Sequence, residues 1–321
     1  MTFLFLALGL ALLLAGGEGL VRGSVAVASR LGVSPVVAGL VLVGFGTSSP
    51  ELVTSLTAAL GGAPGIAVGN VVGSNICNIL LILGVTAALF PVAVDGRAFT
   101  RDGSVLAVVT LVAVAIVLWG EVSRPVGALL VAALVVYVVY TYRVERREHG
   151  PAEAVYSEEA AVKASGLGLA AAAGLALAGL VAVVVGADFL VDAAVTLARA
   201  AGISEAVIGL TLVALGTSLP ELATAVVAGL RRHTEVAFGN IVGSNIFNIL
   251  FILGTTATVQ PIAIPAEIAR FDVWIMLAAT ALMLVVVRSG WRVTRREGIL
   301  LLAGYGLYLA VLAAWNLPAA G

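Results

Sequence analysis

A stretch of 41 residues occurs twice in this chain, and that repetition limits what the chain can become. Gly44–Gly84 and Ala214–Gly254 align without a gap at an offset of 170, with 23 identities. Identity this dense between distant segments marks an internal duplication. Both copies are largely apolar, yet each carries a proline and a glutamate in mid-run. The first reads Gly46-Thr47-Ser48-Ser49-Pro50-Glu51-Leu52, the second Gly216-Thr217-Ser218-Leu219-Pro220-Glu221-Leu222. An ionisable side chain at bilayer depth costs about 2.5–3.5 kcal/mol on insertion scales, which makes it a functional position by default.

The surroundings of the two copies place them in a membrane. The chain is 61% hydrophobic and 11% charged, with mean hydropathy +1.14. Soluble domains carry about 25% charged residues, so the fold class is an all-α integral membrane protein. Apolar runs predict ten spans, at 3–21, 36–60, 66–90, 103–120, 125–142, 165–190, 205–229, 236–259, 272–288 and 298–315. Residues 1–142 then form a first five-helix repeat and 165–321 a second, joined by a short cytoplasmic linker at 143–164. Five is odd, so the second copy enters from the opposite side, giving inverted-topology repeats. Loop charge agrees: of the 17 basic residues, 14 fall on the side of the linker and 3 on the other. The positive-inside rule makes the linker cytoplasmic and both termini external.

The first apolar run lacks the basic flank of a signal peptide, and Gly16-Gly17-Glu18-Gly19-Leu20-Val21 has its counterpart in Gly186-Ala187-Asp188-Phe189-Leu190-Val191. It reads as the first span. Glu18 and Asp188, near the ends of spans one and six, read as interfacial or capping residues. A net charge of -1 argues against nucleic acid as a partner. The single cysteine, Cys77, excludes an internal disulfide and a cysteine-based metal site, and reads as packing.

Within span two, Pro50 lacks an N–H and clashes with the preceding turn, so the helix should open near Gly46. Irregular backbone at membrane depth is tolerated only where it is buried or lines a polar cavity, and its freed carbonyls suit cations. Helical spacing puts Thr47 and Ser48 on the face of Glu51. Ser74 and Asn78 share a face of span three, and Gly69 and Gly73 should let neighbouring backbones approach. Over both copies the candidate ion ligands are all oxygen: Glu51, Glu221, Thr47, Thr217, Ser48, Ser218, Ser74, Ser244, Asn78, Asn248 and the backbone carbonyls at Gly44 and Ala214. Hard cations such as calcium take six to eight oxygens. With no histidine or cysteine in the set, zinc, copper and nickel are disfavoured. A channel or an intramembrane enzyme is the rival reading. A channel filter usually repeats around an oligomer axis, however, and no His, Lys or Cys stands near the hydroxyls to activate a nucleophile.

Gly-Thr-Ser-x-Pro-Glu followed by Gly-Asn-x-x-Gly-Ser-Asn-Ile-x-Asn resembles the alpha-repeats of the calcium/cation antiporter superfamily, in its sodium/calcium exchanger branch. The motifs cover residues 31–84 and 201–254, and the span plan extends the likeness to nearly the whole chain. The resemblance implies a ten-helix antiporter with its ion site between helices 2, 3, 7 and 8. Helices 1 and 6 would slide to give alternating access. Calcium would be extruded against entering sodium; the alternative is a proton/calcium or other cation/calcium antiporter. Glu51 and Glu221 would be the central ligands, with the hydroxyls and the Gly44 and Ala214 carbonyls completing the site. Where well-studied exchangers have an aspartate, this chain has Asn248. The large regulatory insert of animal exchangers is missing from the linker, which implies a prokaryotic plasma-membrane protein. No cofactor and no obligate protein partner are expected beyond the transported cations and the bilayer.

Overall fold

The computed structural model describes residues 2–33, 37–148, 167–200 and 214–316. It is almost wholly helical. The first half contains α1 (Thr2–Leu31), a π-helical turn Ala38–Val43, α2 (Gly44–Thr47), α3 (Ser49–Leu60) and α4 (Pro64–Ile76). A second π turn (Cys77–Leu83), α5 (Gly84–Leu89), β1 (Val92–Ala93), α6 (Gly96–Trp119), β2 (Glu121–Val122) and α7 (Arg124–Glu148) follow. The second half contains α8 (Leu169–Ala200), α9 (Ala214–Thr217), α10 (Leu219–Leu230), α11 (Thr234–Phe247), a π turn Asn248–Leu253 and α12 (Gly254–Val259). It ends with β3 (Ile262–Ala263), a π turn Ile268–Asp272, α13 (Val273–Gly290), β4 (Arg292–Val293) and α14 (Arg295–Asn316).

Eight helices among the described residues are long and apolar enough to cross a membrane. The second and seventh predicted spans are the broken ones, and 205–213 of the seventh lies outside the described residues. Pro50 does not kink a running helix. The helix ends at Thr47, Ser48 leaves helical geometry (φ -81, ψ 7), and a new helix starts with Pro50 in its first turn. Proline is well tolerated there because the first-turn N–H would have no helical acceptor anyway. Ser218 (φ -92, ψ 3) and Pro220 repeat the arrangement.

Several helices outrun their predicted bounds. α1 continues ten residues past 21 to Leu31, so Glu18 lies within the helix rather than near its end. Lone charges do not stop a helix, because arginine and glutamate are ordinary helix formers. α6 begins at Gly96, seven residues before the predicted 103, with the Asp95 carboxylate accepting from the N–H groups of Arg97 (2.7 Å) and Ala98 (2.9 Å). The extra turns bury charge that the hydropathy reading assigned to a loop. Arg101 donates to Asp102 (2.8 and 2.9 Å) and to Glu145 (2.8 Å), and the Tyr137 hydroxyl donates to Asp102 (2.9 Å). Glu145 lies on α7, which runs six residues into the predicted linker. The rest of that linker, 149–164, lies outside the described residues.

The helices through Pro64–Leu89 and Thr234–Val259 form the centre: 78% and 94% of the most apolar 18-residue stretch of each is buried, against 11–44% for the other six candidate spans. Their fully buried faces carry Ile76, Ile79 and Ile82 on one side and Ile246, Ile249 and Ile252 on the other. Lipid is as apolar as these side chains, so close van der Waals packing holds the centre. The halves also pair reciprocally at their ends. β1 runs antiparallel to β4 (Val92 opposite Val293), and β2 to β3 (Val122 opposite Ile262). Asp102–Tyr137 in the first half is matched by a Tyr308–Asp272 hydrogen bond of 2.9 Å in the second. Outside the centre, α1 lies along α8 with almost no space between backbones. A Cβ on Gly16 would stand 2.7 Å from the Val183 nitrogen, and one on Gly9 would stand 2.8 Å from the Gly186 carbonyl.

Candidate ion-binding site

The two helix breaks face each other in the buried centre. Glu51 lies in the first turn of α3 and Glu221 in the first turn of α10, each 1% exposed. Helix N-termini carry about half a positive charge, which favours a carboxylate there. The hydroxyls beside the breaks serve the opposite half. Ser48 Oγ donates to Glu221 Oε1 (3.0 Å), and Ser218 Oγ donates to Glu51 Oε1 (3.3 Å). This corrects the same-face expectation for Thr47 and Ser48. Spacing rules hold only within a continuous helix, and Ser48 is where the helix stops. Thr47 Oγ1 bonds back to the Val43 carbonyl (3.0 Å) and reaches Asn240 Oδ1 (3.3 Å). The Thr47 hydroxyl also neighbours the Glu221 carboxylate, and the Thr217 hydroxyl neighbours that of Glu51.

The central helices close the site. Ser244 Oγ donates to Glu221 Oε1 (3.4 Å), and Ser74 is buried at the matching position. Asn78 and Asn248 lie at the start of the two π turns, each 1% exposed. A π turn widens the helix locally, and such bulges are frequent at functional sites. Gly44 and Ala214 head the short α2 and α9 helices. The Gly44 carbonyl accepts the Ser48 N–H (3.1 Å), whereas the Ser218 N–H turns to the Leu215 carbonyl (3.1 Å).

Four of these oxygens are buried without a hydrogen-bond partner: Glu51 Oε2, Glu221 Oε2, Asn78 Oδ1 and Asn248 Oδ1. An unsatisfied buried polar group costs about 1–3 kcal/mol, more when charged. Two carboxylates, each with an oxygen lacking a donor, sit close enough to repel one another. A cation resolves both problems at once, filling the donor-less oxygens and offsetting the carboxylate charge.

Hydropathy and spacing missed two residues. Asn70 Nδ2 donates to the Glu51 backbone carbonyl (3.0 Å) and to Ser55 Oγ (2.9 Å), and Asn240 Nδ2 donates to the Glu221 carbonyl (3.4 Å). Each asparagine braces the turn that carries the glutamate of its own half. The signal was the repeated Gly-Asn ahead of Gly-Ser-Asn, conspicuous in the duplication yet without a role until the helices are packed. Close backbone approach is seen at Gly243 against Leu40 and at Gly44 against the Ser244 nitrogen (3.1 Å), where the broken helix of the first half meets the central helix of the second. Among the described residues only the Ile268 Cδ1, at 3.9 Å, comes near a Cβ built on Gly69 and none comes near one on Gly73; position 210, which the 170-residue offset makes the counterpart of Leu40, lies outside the described residues.

The sequence profile of a family described as sodium/calcium exchanger protein matches residues 1–143 and 171–314. The chain is 33% identical to the sodium/calcium exchanger MaX1 of Methanosarcina acetivorans, the alignment covering 97% of this chain and 98% of the relative. It is 35% identical to the inner membrane protein YrbG of Escherichia coli, covering 96% and 95%. A solved structure of the sodium-calcium exchanger NCX_Mj, soaked without sodium or calcium, superposes with a TM-score of 0.83 at 32% identity, over 97% of this chain and 98% of that one.

Proposed function

Because the chain belongs to the sodium/calcium exchanger protein family, a family of membrane antiporters, we propose that it exchanges sodium for calcium across the plasma membrane and extrudes calcium. The observation that carries this reading is the set of four partnerless buried oxygens, two from each half, around a pair of facing carboxylates. Glu51, Glu221, Asn78 and Asn248 would supply these oxygens to the ion. The hydroxyls of Ser48, Ser218, Ser74, Ser244, Thr47 and Thr217, with the Gly44 and Ala214 carbonyls, would complete the six to eight that calcium takes. Two carboxylates balance one calcium or two sodium ions, so the ions compete for the same charge. Binding of one then excludes the other, which is the physical basis of coupling.

In this reading the fold is ten transmembrane helices in two inverted five-helix repeats, 1–142 and 165–321. The linker at 143–164 is cytoplasmic and both termini are external. The reciprocal strand pairs and the matched Asp–Tyr bonds support the repeat, and the 14-to-3 distribution of basic residues supports the orientation. Calcium uptake into proteoliposomes, driven in separate trials by an outward sodium gradient and by an outward proton gradient, tests the function. Sodium-driven uptake is expected. Uptake driven by protons alone would replace sodium with protons as the coupling ion, and the lack of both would remove the antiport reading.

A further inference from the structure

The long first helix of each repeat is not packed equivalently on the glutamate helix of the other repeat. α1 packs along α10, whereas the pair that the 170-residue offset makes equivalent, α8 and α3, scarcely touches. At the α1–α10 contact, Gly17 sits directly on Val227, where a Cβ would come within 3.0 Å of Val227 Cγ2. Beside it a cleft is lined by Leu14, Ala15, Glu18, Val227, Leu230 and Arg231. Across its mouth the Arg231 guanidinium donates to the Glu18 carboxylate, with Arg22 3.6 Å from the same group. Arg231 follows Glu221 by ten residues, about 15 Å along the helix at 1.5 Å per residue. At the equivalent place on the other side, Asp188 corresponds to Glu18 but Gly61 stands where Arg231 would be. Among the described residues Asp188 forms no ion pair.

We propose that Arg231, paired with Glu18, is the gate residue of the linker-side access route, and that the opposite route has no such gate. With the pair formed, α1 is held on α10 and the one carboxylate in the cleft is neutralised by a cation that repels incoming ions. When the pair breaks, α1 loses its polar tie to α10, the arginine leaves the mouth of the cleft, and Glu18 keeps only Arg22 of its own helix as a partner. The asymmetry follows from residue identity: arginine on one side and glycine on the other let the cell-interior route shut more firmly than the outer one. This rests on the alternating-access reading above.

The test reads opening directly and needs no assumption about the transported ion. Val227→Cys, buried under Gly17 of α1, on a Cys77→Ala background is labelled with a membrane-impermeant maleimide from the linker side of oriented vesicles. Exposed ion pairs contribute at most about 1 kcal/mol, so Arg231→Gln should speed labelling about two- to fivefold. The charge-swapped pair, Glu18→Arg with Arg231→Glu, should restore the slow rate. As a converse, Gly61→Arg, which puts an arginine at the position equivalent to Arg231, should slow labelling of Thr57→Cys, the equivalent of Val227, from the opposite side. An unchanged rate in Arg231→Gln, or a swap that stays fast, overturns the gate. If Arg231→Gln fails to fold, Glu18→Gln, which removes the other partner of the pair, is labelled in its place: an unchanged rate there overturns the proposal. A failure of sodium-driven calcium uptake in the parent would instead strike the functional reading and leave the labelling rates untouched.

Discussion

Glu221→Gln separates function from stability in a way that the site's geometry dictates. Glu221 Oε1 accepts hydrogen bonds from Ser48 (3.0 Å) and Ser244 (3.4 Å), and an amide oxygen can accept both. Oε2, which has no partner, becomes an NH2 group set among oxygens that lack donors. The fold therefore loses nothing and sheds a buried charge, a costly group to hold without a counter-ion. Ion binding loses far more. At an effective dielectric of 20, a divalent ion about 2.4 Å from a unit charge is attracted by roughly 14 kcal/mol before desolvation. If only a fifth of that survives, the lost affinity is still about 100-fold. Calcium at about 100 times its Kd stabilises the parent by about 2.7 kcal/mol, and the variant should show no such gain. Thermal unfolding in ion-free buffer should give a Tm equal to or above that of the parent. Addition of calcium should raise the Tm of the parent alone, and calcium uptake by the variant should fall at least about 100-fold. A variant with parental uptake would refute the ligand assignment, and one with a clearly lower Tm would refute the claim that the carboxylate is held at a cost to the fold. Glu51→Gln, whose Oε1 accepts from Ser218 and whose Oε2 is likewise partnerless, should behave the same.

Asn240→Leu should reduce stability by about 1–3 kcal/mol, because it strips a buried partner from Thr47 and from the Glu221 carbonyl; chemical denaturation checks this, and a loss under 0.5 kcal/mol would make the brace unimportant. Gly179→Val should separate α1 from α8, since even a Cβ at this position collides with the Leu20 and Gly16 backbones; overpacking typically costs about 1–3 kcal/mol, read as a lower Tm. Single cysteines at Ser157 and Ala319 on a Cys77→Ala background should label from opposite sides of intact cells, and labelling of both from one side would remove the ten-span layout.

Much of this molecule was legible without coordinates because hydrophobicity and duplication are one-dimensional properties. A bilayer demands long apolar runs, and only a short menu of residues breaks them, so Glu51, Glu221 and their serines stood out. That span two breaks beside its proline was likewise readable, since proline constrains the backbone locally, although the break falls at Ser48 rather than at Gly46. What hydropathy misjudged was charge that satisfies itself. Arg101 and Asp102 look like loop residues until Glu145, 43 and 44 positions away, completes their network inside the helix pair.

By itself the sequence determined the membrane class, the two copies and the spans that break, and it nominated an oxygen-only set of candidate ligands. Only the tertiary structure decided which copy serves which. Ser48 reaches Glu221 and Ser218 reaches Glu51 because the two broken helices meet head to head, and no spacing along one chain encodes a contact 173 or 167 residues distant. The structure likewise decided that Leu40 packs on Gly243, that Asn70 and Asn240 hold the glutamate turns, and that Arg231 closes over Glu18. The physical reason is common to all of them. Local propensities act over a few residues, whereas a partner for a buried polar atom is found wherever packing brings one.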